Sequence, residues 1–445
     1  MGDLPKASSA NEKGLVATEK YPSPATAWTM TVLLTLAYVL SYVDRSILGA
    51  LVQPIKADLG VSDEQMGLLG GLAFGLFYAT VGVPLGWLAD RRQRTRIVAA
   101  GVAVWSLATA ASGFARGFGH LFVARMAVGV GEAVLSPCAM SLISDSFPPE
   151  KRGKPVGLYS TALAFGTGLS GLIGALVLSM GANGVTLLLV GELKAWQFAF
   201  VAVGLPGVLL AAAFMIVPEP VRRGGDTAPH GFGAAFGHVG KHIGSLGGVA
   251  LLASVMTTIA YSHFFLVAAF ARKFDWSGQQ FLAVNGTLNL VLGPFVVFGT
   301  GWLIDALRKR GMRDAAFRVL VGAFVPMLPL MAIFIYMPTA ELAIFVNACG
   351  GICIGAITAA AILALLDITP ASMRGQIVAF YYMTISIVGL GLGPTTVGIL
   401  STRVFGEAQL HHAIAVVPVI YGLVPLIALP FIIRAYRQRL SEIES

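Results

Sequence analysis

The sequence predicts an all-α membrane protein with twelve transmembrane helices in two six-helix bundles related by a pseudo-two-fold axis. Three observations lead to this fold class. Hydrophobic residues make up 56% of the 445 residues and charged residues only 12%, whereas a soluble domain carries about 25% charged residues. Apolar stretches of about 20 residues, long enough to cross a bilayer, recur along the chain. Short phrases also recur at corresponding positions of its two halves.

The apolar stretches form two sets of six, separated by a polar linker. The predicted spans are 27–50, 65–88, 96–115, 119–144, 155–180, 197–217, 247–271, 280–305, 315–337, 340–366, 375–400 and 413–434. The predicted divisions are a tail over 1–26, an N-terminal bundle over 27–217, a linker over 218–246, a C-terminal bundle over 247–434 and a tail over 435–445. Apolar residues recur every three or four positions from Phe232 to Leu246, which indicates a short interfacial helix in the linker.

Basic residues concentrate in the loops after the second, fourth and eighth spans. They are Arg91, Arg92, Arg94, Arg96, Lys151, Arg152, Lys154, Arg308, Lys309, Arg310 and Arg313. Because positively charged loops stay in the cytoplasm, we expect both termini and the linker on the cytoplasmic side. The excess of basic residues in cytoplasmic loops then accounts for the net charge of +8, and nucleic acid is not expected as a partner. Short loops and tails favour a protein of the bacterial inner membrane, and we expect a monomer.

The sequence lacks the patterns of several other protein classes. Cys138, Cys349 and Cys353 lie in apolar runs, so neither a disulfide framework nor a metal site is expected. No Gly-Lys pair is followed by Ser or Thr, and no G-x-S-x-G elbow occurs. We therefore expect neither an enzyme nor a resident cofactor.

Two phrases occur twice. "GWLAD" at 86–90 returns as "GWLID" at 301–305, an offset of 215, and each copy precedes an arginine-rich stretch. "DSFPPEKRG" at 145–153 returns as "DITPASMRG" at 367–375, an offset of 222. Two phrases at nearly one offset indicate an internal duplication whose halves run in parallel.

These phrases also resemble a known family. "GWLADRRQRTR" resembles the signature loop of the major facilitator superfamily, and "GWLIDALRKR" its second copy. "YVDRSILGALVQPI" in the first span and "RMAVGVGEAVLSP" in the fourth are similar to the spinster branch, which is associated with lysolipids and sphingosine phosphate. The resemblance implies a secondary transporter that alternates its access by rocking two halves, with spans one, four, seven and ten lining a central cavity.

The resemblance also implies a gate at the cytoplasmic surface, where the signature loop latches the second helix to the eleventh. Gly86 permits close helix approach, and Asp90, at a helix C-terminus, needs a cation such as Arg91 or Arg94. The predicted gating residues are Gly86, Asp90, Arg91, Arg94, Asp145, Arg152, Asp305, Asp367 and Arg374. Among them we expect Asp145 to pair with Arg152 and Asp367 with Arg374. A helix stop followed by topogenic arginines is the alternative interpretation.

Four ionisable residues stand out inside predicted spans, where charges are costly and indicate function. They are Asp44, Arg45, Arg125 and Glu132. A rise of 1.5 Å per residue places Asp44 and Arg125 at similar depths, so they can pair. Glu132 follows Arg125 by two turns on the same helical face, near the midplane.

We predict that Glu132 carries the coupled proton. Burial disfavours the charged form of a lone carboxyl at this depth, whereas Arg125 favours it, and the balance suits reversible protonation. Asp44 and Arg125 are then expected to exchange partners during the cycle. An ion pair that only packs helices is the alternative.

The predicted cavity combines cations with apolar and aromatic walls. Arg45 and Arg125 suit an anionic head group. The predicted substrate-binding residues are Arg45, Arg125, Tyr42, His263, Phe264 and Tyr382. An amphiphilic anion such as a lysophospholipid fits this composition. The alternatives are a proton symporter of small organic anions such as sugar acids, a multidrug efflux transporter, and a membrane-embedded sensor or lipid enzyme.

Overall fold

The computed structural model describes residues 21–181, 184–187, 191–222, 232–370 and 373–444. Nine α-helices form the first half: α1 (Pro24–Ala50), α2 (Val52–Leu59), α3 (Asp63–Gly70), α4 (Leu72–Arg91), α5 (Arg94–Ser112), α6 (Phe118–Glu132), α7 (Leu135–Ser146), α8 (Gly153–Gly181) and α9 (Ala195–Ile216). The linker contains α10 (Phe232–Lys241). The second half contains α11 (Gly248–Ser262), α12 (Leu266–Phe274), α13 (Gly278–Lys309), α14 (Ala315–Ile333), α15 (Ala340–Asp367), α16 (Arg374–Ile385), α17 (Gly391–Leu400) and α18 (Leu410–Glu444).

The predicted all-α membrane fold is confirmed. Eleven helical segments of the described chain are long and apolar enough to cross a membrane. The predicted fifth span corresponds to α8, whose described apolar part, Gly166–Met180, is shorter than that. The twelfth crossing therefore stays a prediction, although α8 itself is a helix of 29 residues.

Local sequence signals set several helix starts. The Ser23 hydroxyl accepts the backbone N–H of Thr26 at 3.2 Å and a proline follows at the first helical position, so α1 begins at Pro24, three residues before the predicted start. Ser62 and Gln65 form a capping box at the start of α3. These caps satisfy backbone N–H groups that a helix start leaves without intrahelical partners.

Four predicted spans are interrupted in the structure. The second span bends at Gly71, between α3 and α4, and the fourth passes from α6 to α7. A 3-10 turn, His263–Phe265, separates α11 from α12, and a π turn, Ser386–Leu390, separates α16 from α17. A Cβ at Gly71 would lie 2.4 Å from the Thr395 hydroxyl oxygen, so at this bend the absence of a side chain permits close helix contact.

One short β-hairpin departs from the predicted all-helical pattern. Its strands, β1 (Val185–Leu187) and β2 (Gly191–Leu193), pair antiparallel with Thr186 opposite Glu192. The hairpin lies in the connection between α8 and α9, where hydropathy predicted only a loop.

The two halves contact each other mainly near one end of the molecule. We call this the closed end; it holds the end of α1 and the start of α18, and the opposite end is the terminal end. At the closed end α3 packs on α17 and α8 on α13. A Cβ at Gly67 would lie 2.5 Å from the Pro394 carbonyl oxygen, and one at Gly168 would lie 2.4 Å from the Leu290 nitrogen. Toward the terminal end, a Cβ at Gly86 would have nothing within 4 Å.

Candidate functional site

A buried ion pair joins α1 to α6. One oxygen of Glu132, Oε2, accepts hydrogen bonds from the Ser41 hydroxyl at 2.6 Å and from Arg45 Nε at 2.8 Å. Arg45 Nη2 lies 2.6 Å from the same oxygen, and the Glu132 side chain is 1% exposed. Ser41 and Arg45 are four residues apart, so they share one face of α1 and meet a single carboxylate.

Aromatic rings surround the Arg45 guanidinium. Its central carbon lies 4.8 Å from the ring centre of Phe74, 5.1 Å from that of Tyr78 and 5.8 Å from that of Tyr42. The guanidinium of Arg125 lies 5.6 Å from the Phe74 ring centre, so one ring contacts both cations. Cation–π contact of this kind stabilises a guanidinium away from water. Phe74 and Tyr78 were missed because aromatic residues are common in membrane helices.

The pairing of the four charged residues differs from the prediction. Arg125 does not pair with the Asp44 carboxylate; its Nη1 donates to the Asp44 backbone carbonyl at 3.5 Å. Glu132 is bound by Arg45 instead of Arg125. Successive residues of a helix point about 100° apart, so Asp44 and Arg45 cannot face one partner. Asp44 faces Thr109 of α5, is fully buried, and has no hydrogen bond on either carboxylate oxygen among the described residues.

The remaining predicted substrate-binding residues lie in separate parts of the structure. The Tyr42 ring packs on Gly166, where an added Cβ would lie 2.9 Å from the ring. Tyr382 is 52% exposed on α16. His263 lies in the turn before α12, its ring centre 6.0 Å from that of Phe334. The structure therefore brings Tyr42 to the Arg45–Glu132 pair and places Tyr382 and His263 on other helices.

Phe264 does not lie at the position in the cavity wall that we predicted for it. Its ring approaches Gly70 of α3, where a Cβ would lie 2.6 Å from a ring carbon, and its carbonyl oxygen approaches Gly49 of α1. Phe264 belongs to the second half and both glycines to the first. In this conformation it fills the contact between the halves.

At the terminal end, Arg94 is buried and donates to four oxygen-bearing groups of its own half and the adjoining linker, one of which is the Pro220 carbonyl at 3.2 Å. Its Nη1 donates to Asp145 Oδ2 at 2.5 Å and to the Ser141 hydroxyl at 2.5 Å, and its Nε donates to Glu219 Oε1 at 2.9 Å. Burial raises the pKa of Glu219, but the hydrogen bonds from Arg94 outweigh it and leave that pKa below the ordinary value. Glu219, at the edge of the linker, was missed because no repeated phrase contains it.

The second half has a matching arrangement. Arg308 Nη2 donates to both oxygens of Asp367 at 2.8 Å. The expected partners of the two aspartates bind backbone instead: Arg152 Nε donates to the carbonyl five residues before it, at Phe147, at 2.9 Å. Arg374 Nε likewise donates to the carbonyl five residues before it, at 3.4 Å. In place of the predicted Asp145–Arg152 and Asp367–Arg374 pairings, Asp145 pairs with Arg94 at the start of α5, and Asp367 pairs with Arg308 in the last turn of α13.

The signature loop itself makes no latch in this conformation between the described residues. The guanidinium of Arg91 lies 3.8 Å above the Trp87 ring. Asp305, in the second copy, is exposed on α13. The side chain of Asp90 lies outside the described residues. Gly86 has no close neighbour, as expected if the helices that it would join are apart at this end.

An ionic network joins the two halves at the closed end. The buried Asp63 carboxylate, at the start of α3, accepts Lys56 Nζ at 2.6 Å, two nitrogens of Arg272 at 2.6 and 2.8 Å, and the Ser401 hydroxyl at 2.7 Å. Glu407 completes this set, which we call the Asp63 network: its Oε2 lies 2.5 Å from Lys56 Nζ. Sequence reasoning missed the network because its members lie up to 351 residues apart. The acidic loop "KADLGVSDE" was its only local signal.

The comparisons with known proteins agree with this geometry. The family model described as Major Facilitator Superfamily matches residues 34–394. The chain belongs to the major facilitator superfamily. The solved structure of a bacterial homolog to the human lysosomal transporter spinster, in an inward-facing and unoccupied conformation, is 26% identical, with a TM-score of 0.82 over 94% of this chain and 99% of that one.

Curated relatives match over shorter stretches. The probable L-galactonate transporter of Escherichia coli (strain K12) is 31% identical over 190 residues, 42% of this chain and 39% of that protein. Protein spinster of Drosophila melanogaster is 27% identical over 195 residues, 44% of this chain and 30% of that protein. The matched stretch thus spans less than half the length of these relatives.

Together these findings confirm the resemblance to the spinster-like branch of the superfamily. The protein is a multi-pass integral membrane protein of a superfamily of secondary transporters. The charged cluster on α1 and α6 is the part of the structure that bears on the substrate and on the driving ion.

Proposed function

We propose that the protein couples proton movement to transport of an amphiphilic anion, a lysophospholipid or a sphingosine-phosphate-like lipid. The observation that carries the proposal is the buried Arg45–Glu132 ion pair, surrounded by aromatic rings. A guanidinium in this setting matches a phosphate or carboxylate head group. Apolar and aromatic walls beside it suit an acyl chain.

Glu132 and the substrate compete for one cation. Oε2 of Glu132 is occupied by Arg45 and Ser41, whereas Oε1 has no hydrogen-bond partner among the described residues. A proton from water binds at Oε1, and the neutral carboxylic acid then holds Arg45 less strongly. The freed guanidinium binds the anionic head group. Loss of the proton restores the ion pair and displaces the substrate, so occupancy by proton and by substrate are linked.

Asp44 supplies a second protonatable group in the same mechanism. Its carboxyl is fully buried beside Thr109 and accepts no hydrogen bond from the described residues, an environment in which the charged form is costly. Arg125 contacts the Asp44 carbonyl. We propose that ionisation of Asp44 draws Arg125 to the carboxylate, whereas ionisation of Glu132 favours Arg45. Partner exchange thus involves both arginines.

We propose the membrane orientation from the loop arginines. If the terminal end is cytoplasmic, the contacts at the closed end make this an inward-facing conformation. The inward-facing description of the similar bacterial structure supports that assignment. We further propose a monomer of the bacterial inner membrane with both termini in the cytoplasm, driven by the proton gradient and without a cofactor.

The test is flux of a labelled lysophospholipid in proteoliposomes, with and without an imposed pH gradient. Wild type, Glu132→Gln and a control, Glu341→Gln, are compared; Glu341 is an exposed carboxylate in the first turn of α15. We expect gradient-driven flux in wild type and control and its loss in Glu132→Gln. Flux that still follows the gradient in Glu132→Gln contradicts the assignment of Glu132.

Transport of small organic anions is the second candidate function. The similarity to a probable L-galactonate transporter favours it, and a sugar acid would use the same guanidiniums without needing an apolar tail site. Labelled galactonate replaces the lipid in the same vesicles. Proton-driven galactonate flux without lysophospholipid flux would move the assignment to this class.

A further inference from the structure

We propose that the Asp63 network is the gate of the closed end, and that Asp63 is the residue whose contacts must break before this end opens. The proposal rests on alternating access and on neither the lipid nor the proton. The network joins residues of α2 and α3, in the first half, to α12 and to the segment between α17 and α18, in the second. Opening the closed end separates these elements, so it must separate these charges.

Asp63 is the centre of the network because both carboxylate oxygens are used twice. Oδ1 accepts Lys56 and Arg272, and Oδ2 accepts Arg272 and Ser401. Its backbone N–H also donates to Glu407 Oε1 at 2.6 Å. Arg272 Nη1 reaches the Glu407 carbonyl oxygen at 2.7 Å, so the same guanidinium links both acidic residues.

Burial makes the Asp63 contacts more important than the exposed ion pairs of the closed end. The Asp63 side chain is fully buried, whereas the Arg403 side chain in the neighbouring Glu64–Arg403 pair is 67% exposed. Exposed ion pairs contribute little, but removal of one partner from a buried pair leaves an uncompensated charge. Asp63 therefore contributes more to holding the halves together than the exposed Glu64–Arg403 pair does.

Backbone packing prevents the network from opening locally. A Cβ at Gly398 of α17 would lie 2.5 Å from the Asp63 carbonyl oxygen, and one at Gly67 would lie equally close to the Pro394 carbonyl. With the α3 and α17 backbones in contact, water cannot reach the carboxylate while the helices stay together. The Asp63 contacts and the helix contact must break in one rigid-body movement.

The experiment measures distances between spin labels at both ends by double electron–electron resonance. The native cysteines Cys138, Cys349 and Cys353 are replaced by serine. Labels on exposed Ala57 and Gln279 report the closed end, and labels on exposed Glu150 and Lys309 report the terminal end. The reporter positions lie outside the Asp63 network.

The variant is Asp63→Asn, and the matched control is Asp58→Asn. Asp58 is also a carboxylate of the closed end, but its partners, Lys194 and Trp196, belong to its own half. We expect Asp63→Asn to raise the long-distance population at the closed end several-fold and to shorten distances at the terminal end. Asp58→Asn should leave both distributions at the parent values. Unchanged distributions in Asp63→Asn, or equal changes in both variants, would overturn the proposal.

Two further variants keep the buried carboxylate in case Asp63→Asn does not fold. Arg272→Lys replaces a forked donor with a single ammonium, and Ser401→Ala removes one hydrogen bond. We expect both to open the closed end, Arg272→Lys more than Ser401→Ala. Distances unchanged in both would equally overturn the role of Asp63. Because no substrate or pH gradient is used, this result is independent of whether lysophospholipid is transported.

Discussion

The two ends of the molecule use the same kind of interaction for different purposes. At the terminal end, the ion pairs between described residues stay within one half and its adjoining linker, as in Arg94–Asp145 and Arg308–Asp367. At the closed end, Asp63 and Arg272 bridge the two halves. A movement of one half against the other can leave ion pairs inside a half intact, whereas it must break ion pairs between halves when that end opens. The distribution of charge thus separates what stays fixed in the cycle from what must break.

Among the variants that test this comparison of the two ends, Arg94→Ala is expected to have the largest effect. It removes the buried cation that binds Asp145 and Glu219, at a cost of about 3–5 kcal/mol in the free energy of unfolding. Thermal unfolding in detergent measures this loss of stability. The matched control is Arg308→Ala in the second half, where the arginine side chain is 38% exposed and a loss of at most about 1 kcal/mol is expected. Equal losses of stability in the two variants would mean that the greater burial of Arg94 does not make it contribute more than Arg308.

An intermediate effect is expected from alanine at two glycines of the second span. Gly67→Ala would place a methyl group 2.5 Å from a backbone carbonyl of α17, whereas Gly86→Ala meets nothing within 4 Å. Gly67→Ala should therefore open the closed end. The readout is alkylation of a cysteine at Thr395, a position only 5% exposed, by a membrane-impermeant maleimide. Labelling that rises equally in both variants would show that packing at Gly67 does not hold this end shut.

The smallest effect concerns pH at the terminal end. The folded-state pKa of Glu219 is lowered, so its contribution to stability is complete above its ordinary value of 4.5 and is lost as pH falls through the lower folded value. Stability measured between pH 6 and about pH 3 should decline less in Glu219→Gln than in wild type. Parallel pH profiles would contradict a lowered pKa.

Much of the fold was predictable because hydropathy and internal repetition are local signals. Twelve spans, the parallel repeat and the charged residues of α1 and α6 were predicted from them, and eleven of the spans are helical segments long and apolar enough to cross a membrane. The partners were not predictable, since the 100° step of a helix decides whether Asp44 or Arg45 meets Glu132. The Asp63 network depends on contacts between residues more than 200 positions apart. Helix interruptions such as Gly71 depend on what packs beside them.

One small contact bears on the history of the protein. Arg152 and Arg374 occupy matching loops of the two halves, and each reaches back five residues to a carbonyl. The charged cluster has no such counterpart: at the offset of 222, Asn347 and Ile354 stand where Arg125 and Glu132 do in the first half. The arginine-to-carbonyl turn therefore belongs to the ancestral six-helix unit. The cluster on α1 and α6 occurs in the first copy alone, so the two halves differ in chemistry while sharing the arginine-to-carbonyl turn.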